Sequence, residues 1–231
     1  MLNYSFSVPS FSAAVKKTIR DNALFLFLFL IYLIIGGISL LLLEQGDLLI
    51  YFSENRHPFL NTFFKYGTKL AEEWAFLGIT FLFLFIRLRY ALLIPIIALL
   101  VTIVSFLGKS FFQHPRPMTF YKQLGIFQDI ELVEGVYVIK GLTSFPSGHT
   151  MAGFALFALV AFCIRLKKGM AVLLLFLAIT VGLSRIYLVQ HFLKDIYLGS
   201  ILGVLLAILV YSGQLIIQST ESHTTTTSYP L

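Results

Sequence analysis

The chain has 231 residues, of which 58% are hydrophobic and only 12% are charged, and its mean hydropathy is +0.89. This composition excludes an ordinary water-soluble domain. The formal net charge of +6 does not indicate nucleic-acid binding, because the basic residues are scattered among apolar stretches and form no basic tract. Cys163 is the single cysteine, which excludes an intramolecular disulfide and a cysteine-based metal site.

Residues 1–22 form an N-terminal segment that carries Lys16, Lys17 and Arg20. Within it, residues 8–22 have the pattern of a short amphipathic helix that would lie on the inner membrane surface. A basic segment before an apolar run resembles a signal peptide. The run is too long for one, however, and no small-residue cleavage site follows, so we expect an uncleaved anchor.

Six apolar stretches follow, each close to the ~17–25 residues that a transmembrane helix requires. They are 23–43, 70–86, 91–107, 148–165, 170–189 and 194–217. Because lipid offers the backbone no hydrogen bonds, each stretch is expected to be an α-helix. The sequence therefore predicts an all-α fold, an integral membrane bundle of six transmembrane helices over 23–217. Residues 218–231 are expected to be a disordered cytoplasmic tail.

The orientation of this bundle follows from the basic residues beside its short loops. They are Lys16, Lys17, Arg20, Arg87, Arg89, Arg165, Lys167 and Lys168. All fall on one side of the predicted bundle, which the positive-inside rule makes cytoplasmic. Arg56, Lys65 and Lys69 fall on the other side, in a longer segment that also contains acidic residues. We therefore expect both termini to be cytoplasmic.

Three short polar clusters interrupt the apolar pattern, at 109–117, 146–149 and 184–195. Charged residues at membrane depth cost several kcal/mol each, so they are normally retained for function. Clusters one and two lie between stretches three and four, with no membrane crossing between them. Cluster three joins stretches five and six, two crossings later, so all three clusters are expected at the outer face.

Cluster two, Pro146-Ser147-Gly148-His149, leads directly into an apolar helix. Ser147 can cap that helix, and Gly148 allows the backbone to approach a ligand closely. The free N–H groups and the dipole of a helix N-terminus favour anion binding. A plain helix cap beside a solvated histidine remains an alternative for this cluster taken alone.

Cluster three contains Ser184, Arg185, His191 and Asp195. If the sixth stretch is helical from its start, His191 and Asp195 lie four residues apart on one face. The carboxylate could then bond one ring nitrogen and leave the other free to attack as a nucleophile. An interfacial ion pair, with Asp195 matched by Arg185 or Lys194, is the alternative.

Cluster one contains Lys109 and Arg116, and Arg116 lies between Pro115 and Pro117. The two prolines restrict the local backbone and hold the guanidinium away from a helical path. Arginine offers a planar fork to phosphate oxygens, and lysine adds a point charge. Snorkelling at the end of stretch three would explain Lys109 but not Arg116.

Together the clusters resemble the signature of the type 2 phosphatidic acid phosphatase superfamily, K-x6-RP, PSGH and SR-x5-H-x3-D, in this order and with intact spacing. The resemblance covers about residues 109–195, and the first hundred residues match only in being membrane spans. It implies a covalent mechanism in which His191 attacks phosphorus, Asp195 supports it and His149 protonates the leaving oxygen. It also implies that the phosphoryl oxygens are held by Lys109, Arg116, Ser147, Gly148 and Arg185. Members of this superfamily need no metal, so no metal site and no cofactor are expected.

The leading hypothesis is therefore an integral membrane lipid phosphatase that acts at the outer face. A phospholipid carrier or scramblase with the same cationic cleft is the main alternative, although binding alone requires no nucleophile and acid. Vanadium-dependent haloperoxidase chemistry shares the pocket pattern, but a small membrane-bound chain disfavours it.

Candidate substrates are phosphatidic acid or phosphatidylglycerophosphate, undecaprenyl diphosphate, and the phosphates of lipid A. The short chain and compact loops are typical of a bacterial protein. We therefore expect an inner-membrane location, a lipid bilayer and a lipid phosphate as the partners, and an active site that faces the periplasm.

Overall fold

The computed structural model describes residues 9–164 and 168–227, with side chains up to 220 except at 168, and these residues form helices and loops without a β-strand. The α-helices are α1 Phe11–Asp21, α2 Ala23–Leu42, α3 Asp47–Glu54, α4 Pro58–Gly67, α5 Glu73–Ile86, α6 Leu88–Phe112, α7 Pro117–Gln123, α8 Gly148–Cys163, α9 Lys168–Tyr187 and α10 Leu193–Thr227. Short 3₁₀ turns at Thr68–Ala71 and Phe127–Asp129 complete them. The predicted all-α fold is confirmed.

Six of these helices occupy the six predicted stretches, but they are not equally long. Four segments are long and apolar enough to cross a membrane: Ala23–Leu42, Leu88–Gln123, Gly169–Tyr187 and Leu193–Thr220. Helices α5 and α8 are apolar but have only 14 and 16 residues. At 1.5 Å per residue, α8 is about 24 Å long, against a hydrocarbon core of about 30 Å. Six complete spans therefore remain a prediction, while a multi-pass membrane bundle is established.

Helix α8 is the centre of the bundle. All of its residues from Thr150 to Cys163 are buried, and α6, α9 and α10 pack around it. Glycines make the closest of these contacts possible. A Cβ on Gly199 would lie 2.7 Å from the Ser147 carbonyl oxygen, and a Cβ on Gly203 would lie 2.5 Å from the Met151 carbonyl oxygen. These close contacts hold the start of α10 against the start of α8.

The amphipathic pattern of 8–22 corresponds to α1, which begins after the Ser10 cap. Its buried residues are Ala14 and Thr18, and the Thr18 hydroxyl lies 2.9 Å from the Ser212 hydroxyl on α10. Helix α1 therefore packs on the end of α10 distant from Asp195, while residues 1–8 lie outside the described chain.

Helix α10 continues to Thr227, which is well into the segment 218–231 predicted to be a disordered tail. No proline or glycine interrupts the chain between Gly213 and Pro230, so the helix has no sequence signal to end earlier. The final residues, 228–231, lie outside the described chain, as do Arg165 and Lys167 of the charge pattern.

Two of the basic residues that opposed the predicted orientation are bound to backbone carbonyl groups. Arg56 donates to the Glu131 carbonyl through Nε and Nη2 and to the Tyr187 carbonyl through Nη1. Lys65 donates to the Glu134 carbonyl at 2.9 Å. These cations hold the long loop before α8 against α3, α4 and the end of α9, a structural role that accounts for their presence on this side.

Candidate active site

The three polar clusters meet at one end of the bundle. The Ser147 amide donates to the Asp195 carbonyl at 3.0 Å, which joins clusters two and three. Arg116 Nη1 donates to the Gln190 carbonyl at 3.2 Å, which joins clusters one and three. A Cβ on Gly148 would lie 3.3 Å from Lys109 Nζ, so the lysine of cluster one reaches the start of α8. Residues far apart in sequence thus form one polar site.

His191 lies in the turn between α9 and α10, two residues before α10 begins, and Asp195 lies in the first turn of α10. Nδ1 of His191 is 3.3 Å from Oδ2 of Asp195, and the two side chains are 2% and 0% exposed. The Phe192 amide also donates to Oδ2, at 2.9 Å. The predicted contact over four residues is therefore formed, and it leaves Nε2 of His191 free of the carboxylate.

Two features of this turn bear on its chemistry. Val189 has a φ of 58°, an uncommon conformation for a β-branched residue, which the surrounding hydrogen bonds to Arg185 and Ile186 carbonyls maintain. Burial lowers the pKa of His191, and the hydrogen bond and charge of Asp195 oppose that shift only in part. Burial therefore favours the neutral imidazole, which is the form of histidine that can act as a nucleophile.

Helix α8 begins at Gly148, and Ser147 is its cap, as predicted. The Ser147 hydroxyl accepts from the Thr150 hydroxyl at 2.9 Å and from the Thr150 amide at 3.4 Å. A Cβ on Gly148 would lie 2.7 Å from Ser105 Oγ, so only glycine allows Lys109 and α6 to approach this closely. His149 follows in the first turn, partly exposed, and the charges of Lys109, Arg116 and Arg185 act on it.

Arg116 is extended, with φ −73° and ψ 157°, and directly precedes α7. This is the conformation that Pro115 and Pro117 were expected to impose. Its amide donates to the Gly141 carbonyl, and its Nε donates to the Thr143 hydroxyl at 3.2 Å. The guanidinium is thereby fixed beside cluster three with the residue only 5% exposed.

Arg185 lies in the last turn of α9 and is 6% exposed. Its Nη1 donates to the Thr68 hydroxyl at 2.7 Å, whereas its Nε is buried without a hydrogen-bond partner among the described residues. A buried guanidinium with an unused N–H is costly, and a bound anion would remove that cost. The charges of Lys109, Arg116 and Arg185 also repel one another, which an anion would relieve.

All eight predicted site residues therefore lie together at one end of the bundle, and four further residues that the sequence analysis did not identify position them. These are Thr68, Thr143, Ser144 and Gln190. Buried Gln190 donates to the Tyr137 carbonyl and accepts from the Ile139 amide, which attaches the long loop to the His191 turn. Each of these contacts joins segments that are distant in sequence, so no local sequence pattern predicts it. Within the described ranges, no three histidine, cysteine or acidic side chains group as metal ligands.

The fold and the site together define a helical membrane protein with a cluster of cationic side chains beside a buried histidine–aspartate pair. The sequence profile described as "PAP2 superfamily" matches residues 88–215, which is more than half of the chain. The chain belongs to the PAP2 superfamily.

Individual relatives show the same fold. The crystal structure of Aquifex aeolicus LpxE superimposes with a TM-score of 0.61 and 23% identity, over 73% of this chain and 94% of that one. The first transmembrane PAP2 type phosphatidylglycerolphosphate phosphatase from Bacillus subtilis gives a TM-score of 0.60 and 23% identity, over 82% of this chain and 95% of that one. Phosphatidylglycerophosphatase B of Bacillus subtilis (strain 168) is 36% identical over 75 residues, which are 29% of this chain and 37% of that protein.

Proposed function

We propose that this protein is a metal-independent lipid phosphatase that works through a phosphohistidine on His191. The observation that carries the proposal is that a buried histidine held by a carboxylate lies beside a cluster of cations with an unsatisfied N–H group. His191 is held by Asp195, and the buried Nε of Arg185 has no hydrogen-bond partner among the residues that the structure describes. A phosphate ester meets both requirements, because it offers oxygens to the cations and an electrophilic phosphorus to the imidazole.

The reaction proceeds in two steps, phosphoryl transfer to His191 and then hydrolysis of the phosphohistidine. Nε2 of His191 attacks phosphorus, so that an N–P bond forms and the bond from phosphorus to the lipid oxygen breaks. The negative charge of the bound phosphate favours the protonated form of His149, which gives its proton to that oxygen, and the lipid alcohol leaves. Water then attacks phosphorus and passes a proton to His149, the N–P bond breaks, and inorganic phosphate is released. Asp195 stabilises the positive charge that develops on His191 during attack.

The remaining site residues stabilise the negative charge on the phosphoryl oxygens. Lys109, Arg116 and Arg185 provide fixed positive charge, and the start of α8 provides the Gly148 amide and the helix dipole. These donors are oriented before the substrate arrives, so little reorganisation is needed in the transition state.

A lipid substrate fits this site because the phosphate pocket lies at the end of membrane helices. Phosphatidylglycerophosphate is the first candidate, in view of the names of the Bacillus relatives, and phosphatidic acid is the second. Undecaprenyl diphosphate and the phosphates of lipid A complete the panel of candidate substrates. A carrier that only bound head groups would have no use for a buried nucleophile and its carboxylate, so we propose hydrolysis.

The decisive experiment measures phosphate release from this lipid panel by the purified protein and by His191→Ala. We expect release by the wild type, unchanged by a chelator, and none by His191→Ala. His149→Ala should retain slow release. His57→Ala, which removes an exposed histidine at the start of α4, should behave as wild type. Full turnover by His191→Ala, or loss of turnover with the chelator, would contradict the mechanism.

We also propose that the site faces the periplasm from the bacterial inner membrane, with both termini in the cytoplasm. Lys17 and Arg87 line one cavity at the end of the bundle distant from the site, which fits the positive-inside rule. In a Cys163→Ala background, a membrane-impermeant maleimide should label Leu124→Cys in intact cells but Gly169→Cys only after lysis. The reverse labelling pattern would overturn this topology.

A further inference from the structure

Ser144 lies in the loop before α8, two residues ahead of cluster two, and is completely buried. Its hydroxyl donates to Asp195 Oδ2 at 2.5 Å. The Ser144 Oγ atom also lies 3.4 Å from His191 Nδ1. Its amide donates to the His114 carbonyl at 3.1 Å, so the serine is also tied to the loop of cluster one. A neutral side chain from a separate segment thus contacts both members of the histidine–aspartate pair.

The hydrogen-bond inventory of these three groups determines where the protons lie. An ionised carboxylate can only accept, so the single hydroxyl proton of Ser144 goes to Asp195. The Ser144 oxygen can then face His191 Nδ1 only as an acceptor, which requires the imidazole proton on Nδ1. The ionised Asp195 carboxylate also accepts a hydrogen bond from a protonated Nδ1. Nε2 is then left with a lone pair for attack on phosphorus.

Among the described residues, Ser144 is the one donor to the Asp195 carboxylate from outside the His191 turn. Three donors converge on Oδ2 of Asp195, whereas Oδ1 is buried without a hydrogen-bond partner among the described residues. Two of the three donors, His191 and Phe192, belong to the turn that carries the nucleophile. Ser144 is therefore the donor that fixes the carboxylate relative to the start of α8, where the phosphate is bound.

We propose that Ser144 is a positioning residue, which orients the Asp195 carboxylate and holds His191 in the tautomer with the proton on Nδ1. This inference rests on the proposed phosphatase function. The charged and titratable groups that face His191 are Asp195 from α10, Arg185 from α9, Arg116 at the start of α7 and His149 from α8. Ser144 acts among them without a charge of its own, through the direction of one O–H bond.

The first test compares Ser144→Ala with the wild type in phosphate release. We expect kcat to fall about ten- to a hundredfold, the range for one hydrogen bond to a charged group, with little change in KM. The acid limb of kcat/KM should move to higher pH, because loss of the donor leaves more negative charge on Oδ2 and so favours the imidazolium. Ser144→Thr keeps the hydroxyl and should keep both kcat and the pH profile.

Ser212→Ala is the matched control, since it removes a hydroxyl from another completely buried serine, in the half of α10 distant from Asp195. It should lower the melting temperature without moving the pH profile. In an Asp195→Asn background, Ser144→Ala should lower kcat by less than about twofold further, because residues that act as one unit are not additive. An equal loss in both backgrounds would overturn the proposal.

A measurement without substrate separates this proposal from the proposed function. The ring nitrogen shifts of ¹⁵N-labelled His191 should show a protonated Nδ1 in the wild type and a higher ring pKa in Ser144→Ala. Where Ser144→Ala does not fold, Ser144→Cys, with its weak donor, takes its place. A wild type that releases phosphate from no lipid defeats the phosphatase proposal while these shifts still test Ser144. An active wild type whose Ser144 variants keep its kcat, pH profile and shifts overturns the role of Ser144.

Discussion

The substitution Gly203→Ala tests whether the packing of α10 on α8 sets the geometry of the site. A Cβ at this position would lie 2.5 Å from the Met151 carbonyl oxygen, whereas ordinary contact begins at 3.4 Å, so the helices must separate locally by about 0.9 Å. The carbonyl belongs to the backbone of a buried helix and cannot rotate away. Overpacking of this kind costs about 1–3 kcal/mol of stability.

The same separation acts on the site, because Met151 lies one turn after Ser147. Ser147 is hydrogen-bonded to Asp195 at 3.0 Å, so moving α8 from α10 displaces His149 and the start of α8 relative to His191. A misplacement of about 1 Å can reduce a rate about a hundredfold. We therefore expect Gly203→Ala to lower kcat for phosphate release by about ten- to a hundredfold and to lower the melting temperature.

The matched control is Gly213→Ala, further along α10, where a Cβ would meet nothing within 4 Å. Alanine favours helix over glycine, so this variant should be as stable as the wild type or more stable, with unchanged kcat. Both variants should be assayed for phosphate release in detergent and for thermal unfolding. Wild-type kcat and melting temperature in Gly203→Ala would refute the idea that this contact positions the site.

Three further predictions concern charged groups and pH. Burial lowers the pKa of His191 from 6.5 to about 4, so the nucleophile stays neutral as the pH falls through the usual histidine range, and a kcat/KM profile should show no loss from His191 until about pH 4. A His191 ring pKa near 6.5, measured by NMR, would contradict this. Arg185→Lys removes the Nε donor and the bond to Thr68, and should reduce kcat/KM about a hundredfold or more. A near-normal kcat/KM in this variant would exclude a specific guanidinium contact. Arg56→Ala removes the bonds to the Glu131 and Tyr187 carbonyls and should cost about 1–3 kcal/mol of stability with little loss of kcat, so an unchanged melting temperature would exclude its structural role.

Much of the site could be predicted from the sequence because the relevant contacts are local. Ser147 caps α8 through a residue three positions away, and His191 meets Asp195 across four positions. Two prolines beside Arg116 restrict its backbone whatever surrounds it. The apolar stretches likewise predict helices, since lipid leaves the backbone no other way to satisfy its hydrogen bonds.

Helix length and charge placement were less predictable. Helix α8 is shorter than a typical span and is covered by other helices, and hydropathy alone does not distinguish a helix covered by protein from one covered by lipid. Arg56 and Lys65 lie on the side where the positive-inside rule expects few basic residues, and there they bind backbone carbonyl groups. Such contacts cannot be found by counting charges in the sequence.

The amino-acid sequence by itself therefore determined the membrane-embedded helical architecture, the residue types of the proposed phosphate site and the pairing of His191 with Asp195. Only the tertiary structure decided that Ser144 reaches Asp195 across 51 residues and that the buried Nε of Arg185 has no partner within the described part of the chain. The physical reason is that helix formation, capping and contacts over four residues depend on neighbours along the chain. A hydrogen bond between distant loops depends on how α8 and α10 come together, which Gly199 and Gly203 permit through their missing side chains.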